Sequence, residues 1–185
     1  MTEADKGPQF SHFGIFVTDL EKVAAFYRDT LDFIETDRGD LGERQIIFLS
    51  RDPREHHQLA FVSGRGETPR EEVVNQISFR LPTLDALKIY VDRALANGAA
   101  DLRTMSHGIA WAAYFRDPEG NRIELFVDSP WYVAQPCREP ISLDEPADEI
   151  IAATEAWCKA QQSFRPAADF QADFAARLAA QLTHH

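Results

Sequence analysis

His12-Phe13-Gly14-Ile15-Phe16-Val17-Thr18-Asp19-Leu20-Glu21 and Gln76-Ile77-Ser78-Phe79-Arg80-Leu81-Pro82-Thr83-Leu84-Asp85 fall into register without a gap when the chain is slid along itself by 64 residues. Each stretch opens with a strand-like apolar run and then sets a capping residue, Asp19 or Thr83, ahead of a helical pattern. Leu20, Val23, Ala24, Tyr27 and Leu31 share one face of the first predicted helix. Leu84, Leu87, Val91 and Leu95 do the same in the second, which Asn97-Gly98 can end.

Further along, the repeat continues with its offset grown to 65 residues: Arg51-Asp52-Pro53 matches Arg116-Asp117-Pro118, and each is followed by a strand ending in Phe61-Val62 or Phe126-Val127. Asp117-Pro118-Glu119-Gly120 is a turn signal, with proline fixing one φ and glycine free to take a positive one. Between helix and turn each copy has room for two more short strands. The pattern is strand–helix–strand–strand–strand, twice, which predicts an α+β fold of two βαβββ modules around one cup. The modules are expected over residues 9–63 and 73–128, with a glycine- and charge-rich linker at 64–72, inside one domain of residues 1–136. Residues 137–185 are expected to form a helical tail, with helices at about 144–160 and 167–182, too small to bury a core of its own.

The formal net charge of −11, with no cluster of Lys and Arg along the chain, argues against nucleic acid. No apolar run approaches a membrane span, and polar residues follow Met1. Cys137 and Cys158 match no zinc spacing and read as reduced thiols of a cytoplasmic protein.

Duplicated modules that pair about a pseudo-twofold axis bring their first and last strands around one cavity. His12 and Gln76 hold the same place in the two first strands. Glu124 is a carboxylate in an otherwise apolar last strand beside Ile123, Leu125 and Phe126. A strand histidine or carboxylate has an ordinary reading as a packed or solvent-facing residue. Here the matching positions point to a divalent metal held by His12 and Glu124. Gln76 reads equally as an outward-facing amide and as a weaker, neutral ligand. His57, in the last strand of the first copy, His107 before Gly108, and Tyr114 in the strand preceding Glu124 are candidates for acid, base or substrate clamp. His56 is expected to face away from His57, as neighbours in a strand do.

His107-Gly108-Ile109 with Tyr114-Phe115-Arg116-Asp117-Pro118-Glu119-Gly120-Asn121-Arg122-Ile123-Glu124 resembles the C-terminal signature of type I extradiol catechol dioxygenases, and His57-Gln58-Leu59-Ala60-Phe61 resembles the strand carrying their catalytic histidine. The resemblance runs over about residues 9–136 and is to the small one-domain members, some 2,3-dihydroxybiphenyl dioxygenases among them, of the vicinal-oxygen-chelate superfamily.

The resemblance implies that His12 and Glu124 are iron ligands and that His57 is the acid–base residue at the oxygen site. It implies that His107 lines the pocket and that Tyr114 binds a substrate hydroxyl. Where the family carries a second histidine ligand this chain has Gln76, after Asn75. That departure keeps two rivals open. One is a glyoxalase-like isomerase or lyase using Mn, Zn, Ni or Co; the other is a metal-free protein binding an aromatic ligand, as in bleomycin resistance. The leading expectation is Fe(II)-dependent extradiol cleavage of a catechol-type aromatic diol by dioxygen. A homodimer is a further expectation, which no motif fixes.

Overall fold

Asp19 and Thr83 open the two matching helices in the same way. The Asp19 carboxylate accepts the Lys22 amide at 3.0 Å and the Thr83 hydroxyl accepts the Ala86 amide at 3.1 Å. The computed structural model describes residues 11–52, 55–66 and 74–182. Pro53 of the repeated Arg-Asp-Pro turn and residues 67–72 of the expected linker lie outside them. The first sheet holds β1 (Phe13–Val17), β2 (Ile34–Leu41), β3 (Arg44–Ser50) and β4 (Leu59–Ser63) in the order β1-β4-β3-β2, with α1 (Leu20–Leu31) joining β1 to β2. The second holds β5 (Ile77–Arg80), β6 (Ala100–Ser106), β7 (Ala110–Arg116) and β8 (Arg122–Asp128) in the order β6-β7-β8-β5, with α2 (Leu84–Ala96) in the matching place. This is the α+β arrangement of two βαβββ modules.

The parallel pairs β1–β4 and β5–β8 share one register: Phe13 lies across from Leu59 and Ile77 across from Ile123. The offset in the last strands is therefore 64 and not the 65 that the Arg-Asp-Pro turns imply, so Ala60 occupies the place of Glu124. The slip is absorbed in the loops. Ten positions separate Leu49 from its partner Leu59, but eight separate Phe115 from Ile123.

The predicted face of α1 is buried in full, joined by Phe26 and Thr30. In α2, Leu84, Leu87 and Val91 are buried, but Leu95 is 45% exposed and Ala94 takes the inner place in the last turn. A single exposed leucine is ordinary, because polar groups are too few to cover a protein surface. The aromatic core crosses between modules: Tyr27 meets Phe61 of its own module at 4.8 Å and Phe79 of the other at 6.3 Å, while Phe26 meets Phe115 at 6.4 Å. The Tyr27 hydroxyl reaches the buried Asp117 carboxylate at 3.4 Å, and burial first, then that carboxylate, pushes the phenol up.

The tail contributes more than two helices. A short β9 (Trp131–Tyr132) precedes β10 (Glu139–Pro140), which adds a fifth strand beside β6. Then come α3 (Ala147–Lys159), β11 (Arg165–Pro166) paired with β9, and α4 (Ala167–Leu182). Helix α3 starts three residues later than the sequence pattern suggests, after Pro146, since a residue before proline is driven towards extended backbone. It buries Ile150, Thr154 and Cys158, and Thr154 accepts the Trp111 indole N–H at 2.8 Å. No helix among the described residues is long and apolar enough to cross a membrane.

Candidate active site

Side chains two apart on a strand face the same way, so the register of the second sheet lays out its open face. Arg103, Tyr114, Glu124 and Ser78 form one row across β6, β7, β8 and β5. Arg116 and Arg122 form the next row, with Gln76 beside Arg122, one residue ahead of β5. The alternate residues Phe115, Ile123 and Leu125 point into the core.

Glu124 is 8% exposed. Tyr114 donates its hydroxyl to Glu124 Oε1 at 2.5 Å, Gln76 donates Nε2 to Oε2 at 2.7 Å, and Ser78 donates its hydroxyl to Oε2. All three donors are neutral. Burial and the neighbouring carboxylate raise the Tyr114 phenol, against the pull of Arg138 and Arg122. His107 Nε2 lies 2.9 Å from the Tyr114 hydroxyl and Nδ1 lies 2.7 Å from the Cys137 carbonyl oxygen. A carbonyl and an ionised carboxylate only accept. With one ring proton on His107, one of the three contacts in the series Cys137–His107–Tyr114–Glu124 lacks a donor.

His107 sits in the β6–β7 turn, at the strand edge its sequence position suggests. The turn depends on Gly108, at φ +73°, where a Cβ would come within 2.3 Å of Val133 Cγ2 and 3.2 Å of Cys158 Sγ. Cys137 Sγ and Gln135 Nε2 both donate to the His107 carbonyl, at 2.7 and 2.8 Å. The tail is therefore part of the site, which side-chain motifs in residues 9–136 did not indicate. What fixes His107 is a backbone carbonyl and a glycine clamped under α3.

His12 and His57 meet elsewhere. Their rings are 4.2 Å apart between centroids, and Ser11 links the His12 ring (3.2 Å) to Glu55 (3.0 Å). His57 precedes β4 and lies in the longer loop, not in the strand. Its neighbour His56 consequently does not face the other way: the two Nδ1 atoms are 3.0 Å apart and both rings lie against Phe48. Burial first, then the nearby His12 and His56, lowers the His57 pKa against the pull of Glu55.

The candidates thus fall into two groups: His12 with His57, and Gln76 with His107, Tyr114 and Glu124. Among the described residues no three His, Cys, Asp or Glu side chains are disposed to hold one metal ion. Glu124 with the Gln76 amide fits a hard divalent cation in donor type, since a buried carboxylate met only by neutral donors leaves its charge unbalanced. Gln76 here turns its nitrogen to Glu124, and its oxygen accepts from Asn75 at 3.3 Å, so ligation requires the amide to rotate. Two hollows meet at His107. One, of about 230 Å³, is lined by Gln76, Tyr114 and several arginines; the other, of about 400 Å³, by Glu124, Ile109, Ala110 and Phe126.

Asp117, in the turn before β8, is structural. It is 3% exposed and accepts the Glu119 and Asn121 amides, each at 2.9 Å, and burial raises its pKa.

The chain is similar to biphenyl-2,3-diol 1,2-dioxygenases 3 and 2 of Rhodococcus globerulus, at 28% identity over 130 residues and 23% over 126. Each match takes in 66% of this chain and 64% of the relative, so the chain spans less than two thirds of the length of the curated relatives it matches. Among solved structures it resembles a glyoxylase/bleomycin resistance protein/dioxygenase domain from Frankia sp. EAN1pec, with a TM-score of 0.58 at 20% identity over 66% of this chain and 93% of that one. It also resembles the fosfomycin resistance protein FosX of Listeria monocytogenes in complex with Mn(II) and 1S,2S-dihydroxypropylphosphonic acid, with a TM-score of 0.53 at 20% identity over 65% and 90%. The family signature of the Glyoxalase/Bleomycin resistance protein/Dioxygenase superfamily matches residues 9–125, and the chain belongs to that superfamily.

Proposed function

We propose that the protein cleaves a catechol-type aromatic diol by dioxygen in the extradiol manner, at a non-haem metal held by Glu124, Gln76 and His12, with Fe(II) as the metal. The observation that carries this reading is the buried Glu124 carboxylate, with neutral donors as its hydrogen-bond partners, beside a Tyr114–His107 pair that can accept and pass a hydroxyl proton. The curated relatives named as biphenyl-2,3-diol dioxygenases support it.

Glu124, Gln76 and His12 would hold the metal, which would supply Lewis-acid activation of a diol that chelates it and redox chemistry towards dioxygen. Tyr114 would hold one substrate oxygen, and His107, anchored through Nδ1 to the tail, would relay the proton that this oxygen releases. His57 would act as the acid–base residue towards oxygen, aided by its lowered pKa, which leaves the ring neutral and able to accept. In the balanced reaction the ring carbon–carbon bond beside the diol breaks and both oxygen atoms enter the ring-opened semialdehyde.

His12 and His57 reach this centre if a second copy of the chain supplies them. β1 and β5 are both edge strands, and His12 and Gln76 stand just ahead of them. A homodimer pairing these edges would bring the two groups together. Mixing His12→Ala with Glu124→Ala protein tests this. Hybrid dimers regain one intact centre and part of the activity, whereas mixtures as inactive as each parent variant contradict a shared centre.

Gln76 in place of a histidine keeps a glyoxalase-like isomerase or lyase with Mn, Zn, Ni or Co as a second reading, and its amide nitrogen facing Glu124 favours a metal-free aromatic-binding protein. Anaerobic loading with Fe(II), followed by oxygen uptake with a panel of catechols, separates them. Uptake matched by ring-opened product supports the dioxygenase; a fully loaded protein that consumes no oxygen with any catechol rejects it. His57→Gln should then lose about 10²- to 10⁴-fold in rate with catechol affinity nearly intact.

A further inference from the structure

Four arginines, Arg103, Arg116, Arg122 and Arg138, line the 230 Å³ hollow beside Tyr114, against one carboxylate, Asp101. Acidic residues outnumber basic ones by 30 to 19 in the whole chain, so this gathering is not its average composition. Three of the four are set by strand register: Arg103 lies directly across from Tyr114, and Arg116 across from Arg122. The fourth comes from the tail, next to the Cys137 carbonyl that anchors His107.

Arg122 donates to the Asn75 amide oxygen at 3.3 Å and Arg116 to the Gly120 carbonyl at 2.7 Å. The Asn75 contact fixes the Arg122 side chain without neutralising it. Among the described residues no ion pair engages Arg103, Arg122 or Arg138. A guanidinium keeps its charge at any working pH, and its planar fork matches a carboxylate. Set against Asp101, the three guanidiniums of Arg103, Arg122 and Arg138 leave net positive charge in a concave wall, a site for an anion.

We propose that this hollow binds the carboxylate of the substrate, so that the diol cleaved at Glu124 carries an acidic side chain. The catechol part rests on the function proposed above; the anionic part rests on the arginines. A neutral diol would leave Arg103, Arg122 and Arg138 facing the bound molecule without a counter-charge. The hollow suits a carboxylate on a short chain, since a benzene ring alone fills a cavity of about 150 Å³.

Phenylpropanoate, which has no diol, and its methyl ester probe the anion site alone. Calorimetric titration should show the parent binding the acid at least about tenfold tighter than the ester, a preference that shrinks as salt is added. Arg122→Gln combined with Arg138→Gln should abolish the preference and leave ester binding unchanged. Arg103→Gln, at an exposed strand position, should reduce it and serves where the double variant fails to fold. Equal binding of acid and ester by the parent, or an unchanged preference in the folded variants, overturns the proposal. A catechol with a propanoate chain and its methyl ester then separate the two readings. Cleavage of both with equal kcat/KM rejects the anion site while the dioxygenase stands. An acid preference without oxygen uptake rejects the dioxygenase while the anion site stands.

Discussion

Glu119 Oε1 accepts the backbone amide of Asp19 at 2.6 Å, and that of Thr18 at 2.8 Å, so the first helix of one module is capped by a side chain of the other. Asp19 caps the same helix from within. The Glu119 side chain is only 8% exposed, and an anion at a helix N-terminus is favoured by the unpaired amides and the helix dipole. Replacing Glu119 by Ala should cost about 1–2 kcal/mol of stability, on the scale of a lost N-cap. Replacement by Gln should cost less. Urea denaturation of the three proteins measures the order; equal midpoints would show that the contact contributes nothing.

Gly108 and Val133 make a second testable pair. A Cβ at position 108 would lie 2.3 Å from Val133 Cγ2, on a backbone at φ +73°. Gly108→Ala should destabilise by about 1–3 kcal/mol through overpacking and strain. It should also disturb His107, the preceding residue. Val133→Ala in the same chain should recover part of the loss by removing the clashing methyl. A double variant no more stable than Gly108→Ala alone would place the whole penalty in the backbone angle.

Asp32 gives a pH dependence. It ends α1 in the left-handed region at φ 56° and accepts Tyr90 at 2.5 Å and Arg93 at 3.0 Å from α2. The Tyr90 hydrogen bond first, then Arg93, holds its pKa below the ordinary value of 3.8. A depressed carboxylate contributes stability that is present above its unfolded value and is lost as pH falls through the folded one. Stability should therefore drop as the solution is acidified below about pH 4, and Asp32→Asn should flatten that part of the curve. An identical acid limb in both proteins would remove the contribution assigned to Asp32.

The module pattern was legible in the sequence because a repeat of 64 residues with matched caps at Asp19 and Thr83 leaves few other topologies. Tyr114 and Glu124 could be singled out from the sequence, and the structure hydrogen-bonds Glu124 to both Tyr114 and Gln76. Other parts were not legible. The loop with His56 and His57 carries two extra residues, so strand alternation does not apply there and the two rings touch. Arg103, Arg116, Arg122 and Arg138 are spread along the chain and form no basic run; only strand register and the returning tail assemble them. The anchor of His107 is the Cys137 carbonyl, a group every residue possesses and no motif can mark.

Metal stoichiometry tests the central claim most directly. Titration of the apo-protein with Fe(II) under anaerobic conditions, or with Mn(II), should give about one ion per chain, and Glu124→Ala should abolish that binding while keeping the fold. Gln76→His should tighten it by adding an imidazole ligand. Binding of one ion per chain that persists unchanged in Glu124→Ala would contradict a metal centre at this carboxylate.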